Sequence, residues 1–146
     1  MPPSSPDNVD AERGSAVVEF TFLCLLLMVP VVYFIITVGQ LQGGSFAVVG
    51  AADQAAKVFV AQPDAASGRA AAEQAVQLAL ADYGHPADNA SVETSCDPAG
   101  CTAPGSAVTV TVRLTVPLPF VPFSDVLKLD AGQVSASATQ LVGRFR

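Results

Sequence analysis

Residues 13–32 read RGSAVVEFTFLCLLLMVPVV, and the apolar run they open continues to Val38 with Glu19 as its only formally charged residue after Arg13. A helix rises 1.5 Å per residue, so roughly 20 residues cross a hydrocarbon core of about 30 Å. The run from Ser15 is long enough to span. A secretory signal would carry an apolar core of about 7 to 15 residues after a basic start, then a small-residue cleavage site. Here the core is longer, and the leader MPPSSPDNVDAERG sets Arg13 against Asp7, Asp10 and Glu12. Lipidation at Cys24 is poorly served too, because Thr21, Phe22 and Leu23 leave no small residue just before the thiol. Pro30 fits a mildly kinked membrane helix whose freed carbonyl finds a neighbour or water. Arg13 is the nearest basic residue on one side and Lys57 the first on the other, so the positive-inside rule puts the N-terminus in the cytoplasm.

Glu19 is the anomaly. A carboxylate in hydrocarbon costs about 2 to 3 kcal/mol even on the gentler insertion scales, and it therefore calls for a use. A cut between Gly14 and Ser15 supplies one. Ser15 would become the first residue and Glu19 the fifth, one helical turn along on the same face. The new α-amino group is cationic and can pair with that carboxylate, in its own chain or in a neighbour. Gly14, without a side chain, lets a protease approach the backbone closely. The competing reading is an interfacial carboxylate near a helix start, favoured by the macrodipole and reaching back to water.

The pattern GSAVVEF at the head of a long apolar run resembles the processing site of type IV prepilins, and most of all the TadE-type proteins of the tight-adherence (Flp) pilus system. The later stretches VTVTVRLTVPLPFVPF and VSASATQLVGRFR are similar to the alternating strand, Pro-rich turn and final strand of that family, so the resemblance covers most of the chain after Gly14. It implies a minor pseudopilin-like protein that assists assembly or export of a thin surface fibre. It also implies a prepilin peptidase as partner, with Gly14, Ser15, Glu19 and Phe20 at the recognised positions, beside other pilin-like subunits, the pilus assembly machinery and membrane lipid. The implied location is the cell membrane, crossed once, with the C-terminal domain extracytoplasmic.

The expected organisation is a disordered cytoplasmic leader over 1–14, a transmembrane helix over 15–40, a helix extending from the membrane over 41–62, and a small extracytoplasmic α+β domain over 63–146. The domain is expected to be pilin-like, with a second amphipathic helix and an antiparallel sheet of about three strands. Gly39, Gly43, Ala47, Ala51 and Ala55 recur every four residues. Such a ridge is a packing face for pilin-like partners, or it covers the chain's own domain. Gly43 and Gly44 weaken the helix locally. Pro63 ends the first helix, Asp64 or Ser67 caps the second, and Ala72, Val76, Ala79, Leu80 and Tyr83 give it an apolar face before Gly84 and Pro86.

The stretch SAVTVTVRLTV alternates Val108, Val110, Val112, Leu114 and Val116 with polar residues, the mark of a strand with one buried face. Residues 90–95 offer a shorter strand, and 133–142 another whose inward positions are Val134, Ala136, Ala138 and Leu141. PLPFVPF cannot be a central strand, since its prolines withhold backbone donors. Phe120 and Phe123 are expected to dock on the core, with an apolar contact to a partner as the other reading.

Composition limits the functions available. The chain has 146 residues, room for one modest domain beyond the apolar run. At 14% charged residues it falls below the usual quarter for a soluble domain. A net charge of −6 with scattered basic residues argues against nucleic acid. Cys96 and Cys101 bracket CDPAGC and can close a short disulfide in an oxidising compartment. A zinc knuckle there would need two further ligands where the chain offers one histidine, and a reducing compartment would leave two thiols. That histidine, His85, reads as a solvent-exposed turn residue between Gly84 and Pro86. No nucleophile elbow, P-loop or dinucleotide fingerprint occurs, so no catalytic residue, metal or cofactor is expected. The rival functional readings are an uncleaved membrane-anchored module that binds a surface ligand, and a subunit of another envelope complex.

Overall fold

The computed structural model describes Met1 and residues 8–98, 100–127 and 129–145, with side chains described from Gly14 onward except at 124 and 125. Residues 2–7 of the expected disordered leader lie outside the described residues. Its second half is helical, because α1 (Asn8–Val60) already begins at Asn8. The local sequence is compatible with this, since Ala11, Glu12 and Arg13 have high helix propensity. Pro30 lies within α1. The chain divides into two compact units, Met1–Ile36 and Thr37–Arg146.

The first unit is helix whose side chains from Gly14 to Val32 are all exposed. It contributes the one helix of the described residues that is long and apolar enough to cross a membrane.

The second unit is α+β. It takes the later part of α1, then α2 (Ala65–Asp82), a short 3-10 turn (Ala87–Asn89), β1 (Ala90–Asp97), β2 (Ala107–Pro117), α3 (Ser124–Leu127) and β3 (Asp130–Leu141). The strands form an antiparallel meander in the order β1-β2-β3. Val92 faces Val112, and Val112 faces Ala136 across the next pair, so the inward residues of three strands fall in register. β2 is central, and Val108, Val110, Val112, Leu114 and Val116 are all fully buried, as the alternation requires.

Two helices cover that face. Val48, Ala52, Ala56 and Phe59 of α1 join Ala72, Val76 and Leu80 of α2 in one core with the strand residues. Gly68 permits the close approach of the helices, since a Cβ there would stand 3.1 Å from the Phe59 ring. Asp64 caps α2: its carboxylate accepts from the Ser67 backbone N–H at 2.9 Å and from the Ser67 hydroxyl at 2.6 Å. The Ser67 hydroxyl, then its backbone N–H, hold the Asp64 carboxyl below its ordinary pKa, since both bonds favour the charged form. Beyond the C-cap Tyr83, Gly84 takes a positive φ of 76°, which its missing Cβ tolerates.

Four expectations about side chains are corrected. Leu141 is 67% exposed and Val142 is 2% exposed, because strand periodicity sends 134, 136, 138, 140 and 142 inward regardless of which residue is more apolar. Tyr83 is exposed at the end of α2, past the last turn that touches the sheet. His85 is half-buried, and its backbone N–H donates to the Leu80 carbonyl at 2.9 Å, closing the helix end. Phe120 and Phe123 are 81% and 74% exposed, so neither docks on the core; Pro119 between them and β2 is buried instead.

Candidate functional site

The segment singled out by sequence lies on an unbroken helix. Gly14, Ser15, Glu19 and Phe20 are all exposed on α1, and a Cβ at Gly14 would meet nothing within 4 Å. No local structure in the chain itself therefore requires glycine at position 14. The Thr21 hydroxyl donates to the Val17 carbonyl at 2.8 Å, a back-bond that hides its polarity among apolar neighbours. Phe20, Leu23, Cys24, Leu26, Leu27 and Pro30 line a shallow apolar notch on the same helix, with the free Cys24 thiol exposed. Around Glu19, the surface from Val17 to Ile35 is built of exposed Val, Leu, Ile, Met and Phe.

The small-residue ridge divides. Ala47, Ala51 and Ala55 are fully buried in the second unit's own core. Gly39 is exposed and Gly43 half-buried, and a Cβ on either would find open space. The glycine that allows close packing is the neighbouring Gly44, whose Cβ position lies 3.0 Å from Val116 Cγ2, 3.4 Å from Leu114 Cδ2 and 3.5 Å from Val134 Cγ2. Four-residue spacing cannot tell Gly43 from Gly44; only the neighbouring buried positions, Ala47, Val48, Ala51 and Ala52, indicate which face of the helix is turned inward.

Cys96 and Cys101 form a disulfide with their Cα atoms 5.1 Å apart, at the turn between β1 and β2. Both sulfurs are thereby removed as metal ligands, and among the described residues no three His, Cys, Asp or Glu side chains gather at one point. This end of the unit is further tied by the Gly105 N–H donating to the Val142 carbonyl and the Val142 N–H to the Ser106 carbonyl, each at 2.9 Å.

The outer face of the sheet is polar and self-satisfied. The Thr109 and Thr139 hydroxyls stand 2.7 Å apart, those of Thr111 and Ser137 2.8 Å, and Arg113 donates to Glu93 at 3.0 Å. Such exposed pairs contribute little stability. Lys57, Arg69, Glu73 and Asp82 are exposed on the helices, and Lys57 pairs with Asp53 one turn before it.

Sequence reasoning offered an exposed apolar surface at Phe120 and Phe123, in the loop after β2, only as its second reading. Phe120, Phe123, Val126, Leu127 and Leu129 are all exposed there, and the prolines that exclude a strand were the signal that this segment projects from the sheet. No family model, curated protein or solved structure matches the chain.

Proposed function

We propose that this chain is a minor pseudopilin-like membrane protein of the tight-adherence type, matured by a prepilin peptidase between Gly14 and Ser15 and assembled through its N-terminal helix. The observation that carries the proposal is the placement of Gly14, Ser15, Glu19 and Phe20 at the start of the exposed apolar stretch of α1, a helix whose later part belongs to a small α+β unit. Glu19 sets register: after cleavage its carboxylate meets the Ser15 ammonium of the same or a neighbouring chain, and a misregistered neighbour leaves the charge unpaired in lipid. The second unit faces the extracytoplasmic side, where its disulfide persists.

One observation favours the uncleaved, membrane-anchored alternative. α1 runs through Gly14 and Ser15 without a break, so a protease that takes an extended substrate must first unwind a turn. The experiment that decides is the intact mass of the full chain purified from membranes of cells expressing a prepilin peptidase. A Ser15 terminus is expected, and a Met1 terminus removes the processing claim. A Cβ at Gly14 meets nothing within 4 Å, and Gly14→Val is expected to block maturation. Glu19→Ala is expected to impair maturation or fibre yield; if both are untouched, the proposed role of the carboxylate is wrong.

A further inference from the structure

We propose that the cleft between α2 and the free edge of β1 takes one extended segment of a partner protein, added to the sheet as a fourth strand, with a lysine or arginine side chain that reaches Glu73. The cleft lies wholly within the second unit, so the proposal stands apart from maturation and from the membrane.

The helical layer of this unit is wider than its sheet. Packed helix axes stand about 8 to 10 Å apart and paired strands about 4.8 Å apart, so two helices side by side span roughly the width of four strands, and this sheet has three. α1 occupies the β2–β3 side, since the Cβ position of Gly44 points at Val116 and Leu114 of β2 and at Val134 of β3. α2 therefore overhangs β1. Beneath the overhang is a cleft of about 210 Å³, bordered by Glu73, Val76, Gln77 and Leu80 of α2 and by Ala90 and Val92 of β1. β1 pairs with β2 alone, and alternate residues along such an edge turn their N–H and C=O groups away from the ladder, ready to pair with another strand. Val92 is half-buried although Val112, its neighbour across the ladder, is fully buried. A fourth strand would cover it.

Size and charge select the occupant. The cleft is smaller than the roughly 300 to 1,000 Å³ of small-molecule sites and suits one or two inward side chains of a strand. With the apolar faces of two sheets aligned, either edge strand of a second copy would bring its own covering helix into the space that α2 fills, so the added strand must come from a segment without a helical layer. Val76, Leu80 and Val92 offer an apolar floor, while Glu73 and Gln77, one turn apart on the same flank of α2, offer acceptors at the rim. Glu73 is exposed, and the two ion pairs among the described residues, Lys57–Asp53 and Arg113–Glu93, lie elsewhere. Among the described residues no basic side chain lines the cleft, and β1 carries Glu93 and Asp97 with no Lys or Arg. The nearest base along α2 is Arg69, one turn before Glu73. Lysine and arginine lay their stems along apolar surface and keep the charge at its edge, whereas an acidic side chain here would meet Glu73 as a like charge. Main-chain bonds to β1 supply the affinity of such an addition, and the side-chain slot supplies its selectivity.

The probes are two end-capped peptides, STVSKSVTS and the same sequence with glutamate in place of lysine, each added to the full chain in detergent micelles while amide hydrogen exchange is followed residue by residue by NMR. The lysine peptide is expected to slow exchange several-fold at alternate amides of β1, those on its free edge, and the glutamate peptide to do markedly less. Glu73→Lys, a change at an exposed position, is expected to reverse that preference, with unaltered exchange of the β2 amides showing that the fold is intact. Equal effects of the two peptides, or a preference for lysine that survives Glu73→Lys, overturn the basic partner. Slowing along β3 in place of β1, or at neither edge with peptide at millimolar concentration, overturns the added strand. Protection of β1 that rises with protein concentration in the absence of peptide assigns the edge to a second copy and overturns the proposal as well.

Discussion

Adjacent glycines in α1 give the sharpest test of how the helix lies on the sheet. In a helix interior, glycine is less favourable than alanine by about 0.8 to 1.0 kcal/mol. At Gly43 a new Cβ meets nothing within 4 Å, so Gly43→Ala is expected to realise that gain. At Gly44 the same methyl would stand 3.0 Å from Val116 Cγ2 and 3.4 Å from Leu114 Cδ2, inside the 3.5 to 4.0 Å optimum for carbon pairs. Val116 is fully buried in the central strand, and a β-branched side chain has little rotamer freedom with which to retreat. Overpacking of this kind costs about 1 to 3 kcal/mol, which cancels or exceeds the propensity gain. The two variants should therefore differ by about 1 to 3 kcal/mol, roughly 5- to 150-fold in the opening equilibrium. Hydrogen exchange of the β2 amides, measured on the full chain in detergent micelles, reads that ratio. If Gly44→Ala protects β2 as well as Gly43→Ala does, α1 does not present this face to the sheet, and the assignment of the core is refuted.

Two further outcomes concern the ends of the second unit. The Cys96–Cys101 bridge closes a loop with a sequence separation of 5, for which chain entropy gives about 2 kcal/mol; Cys96→Ser with Cys101→Ser should lower the denaturant midpoint accordingly, and an unchanged midpoint would show that the turn is held by its backbone bonds alone. The Asp64 cap should weaken in acid. Its folded pKa is depressed by the Ser67 bonds, so its contribution is complete above the ordinary value of 3.8 and is lost as pH falls through the lower folded value. Asp64→Asn, a cap that does not titrate, should narrow its stability deficit against the parent chain over that same window, and a constant deficit would exclude the linkage.

Much of the fold was legible because its signals are periodic. Alternation in β2 identified all five inward residues, and the four-residue spacing of Ala72, Val76 and Leu80 gave the buried face of α2. Errors arose where apolar character was followed in place of period. Leu141 is more apolar than Gln140, yet strand geometry turns Leu141 outward and leaves the next inward position to Val142. For Phe120 and Phe123 hydrophobicity favours core docking over the exposed alternative, yet the prolines beside them take the segment out of the sheet and both rings are exposed. Gly44 could not be preferred to Gly43 in advance, because which glycine faces the strands depends on the rotation of α1 about its axis. The candidate processing motif is a different case. Its four residues are exposed on a helix, and the role proposed for them calls on a protease and neighbouring chains outside the local packing.

The energetics of the first unit separate two effects that Glu19 could have. The exposed large apolar side chains from Val17 to Ile35 stand 44–71% accessible. Transferring a fully exposed side chain of this kind to an apolar medium is worth about 1.5 to 3 kcal/mol, so the stretch together favours lipid by well over about 10 kcal/mol. One carboxylate opposes this with about 2 to 3 kcal/mol. Glu19 therefore does not decide whether the helix inserts, and Glu19→Ala should reach the membrane as readily as the parent chain. On the proposed reading, any defect in that variant arises after insertion, because the chain then lacks the carboxylate that would pair with an ammonium. A loss of membrane localisation in Glu19→Ala would reverse this ordering, placing the carboxylate's role in targeting and leaving no reason to link it to the register of assembled chains.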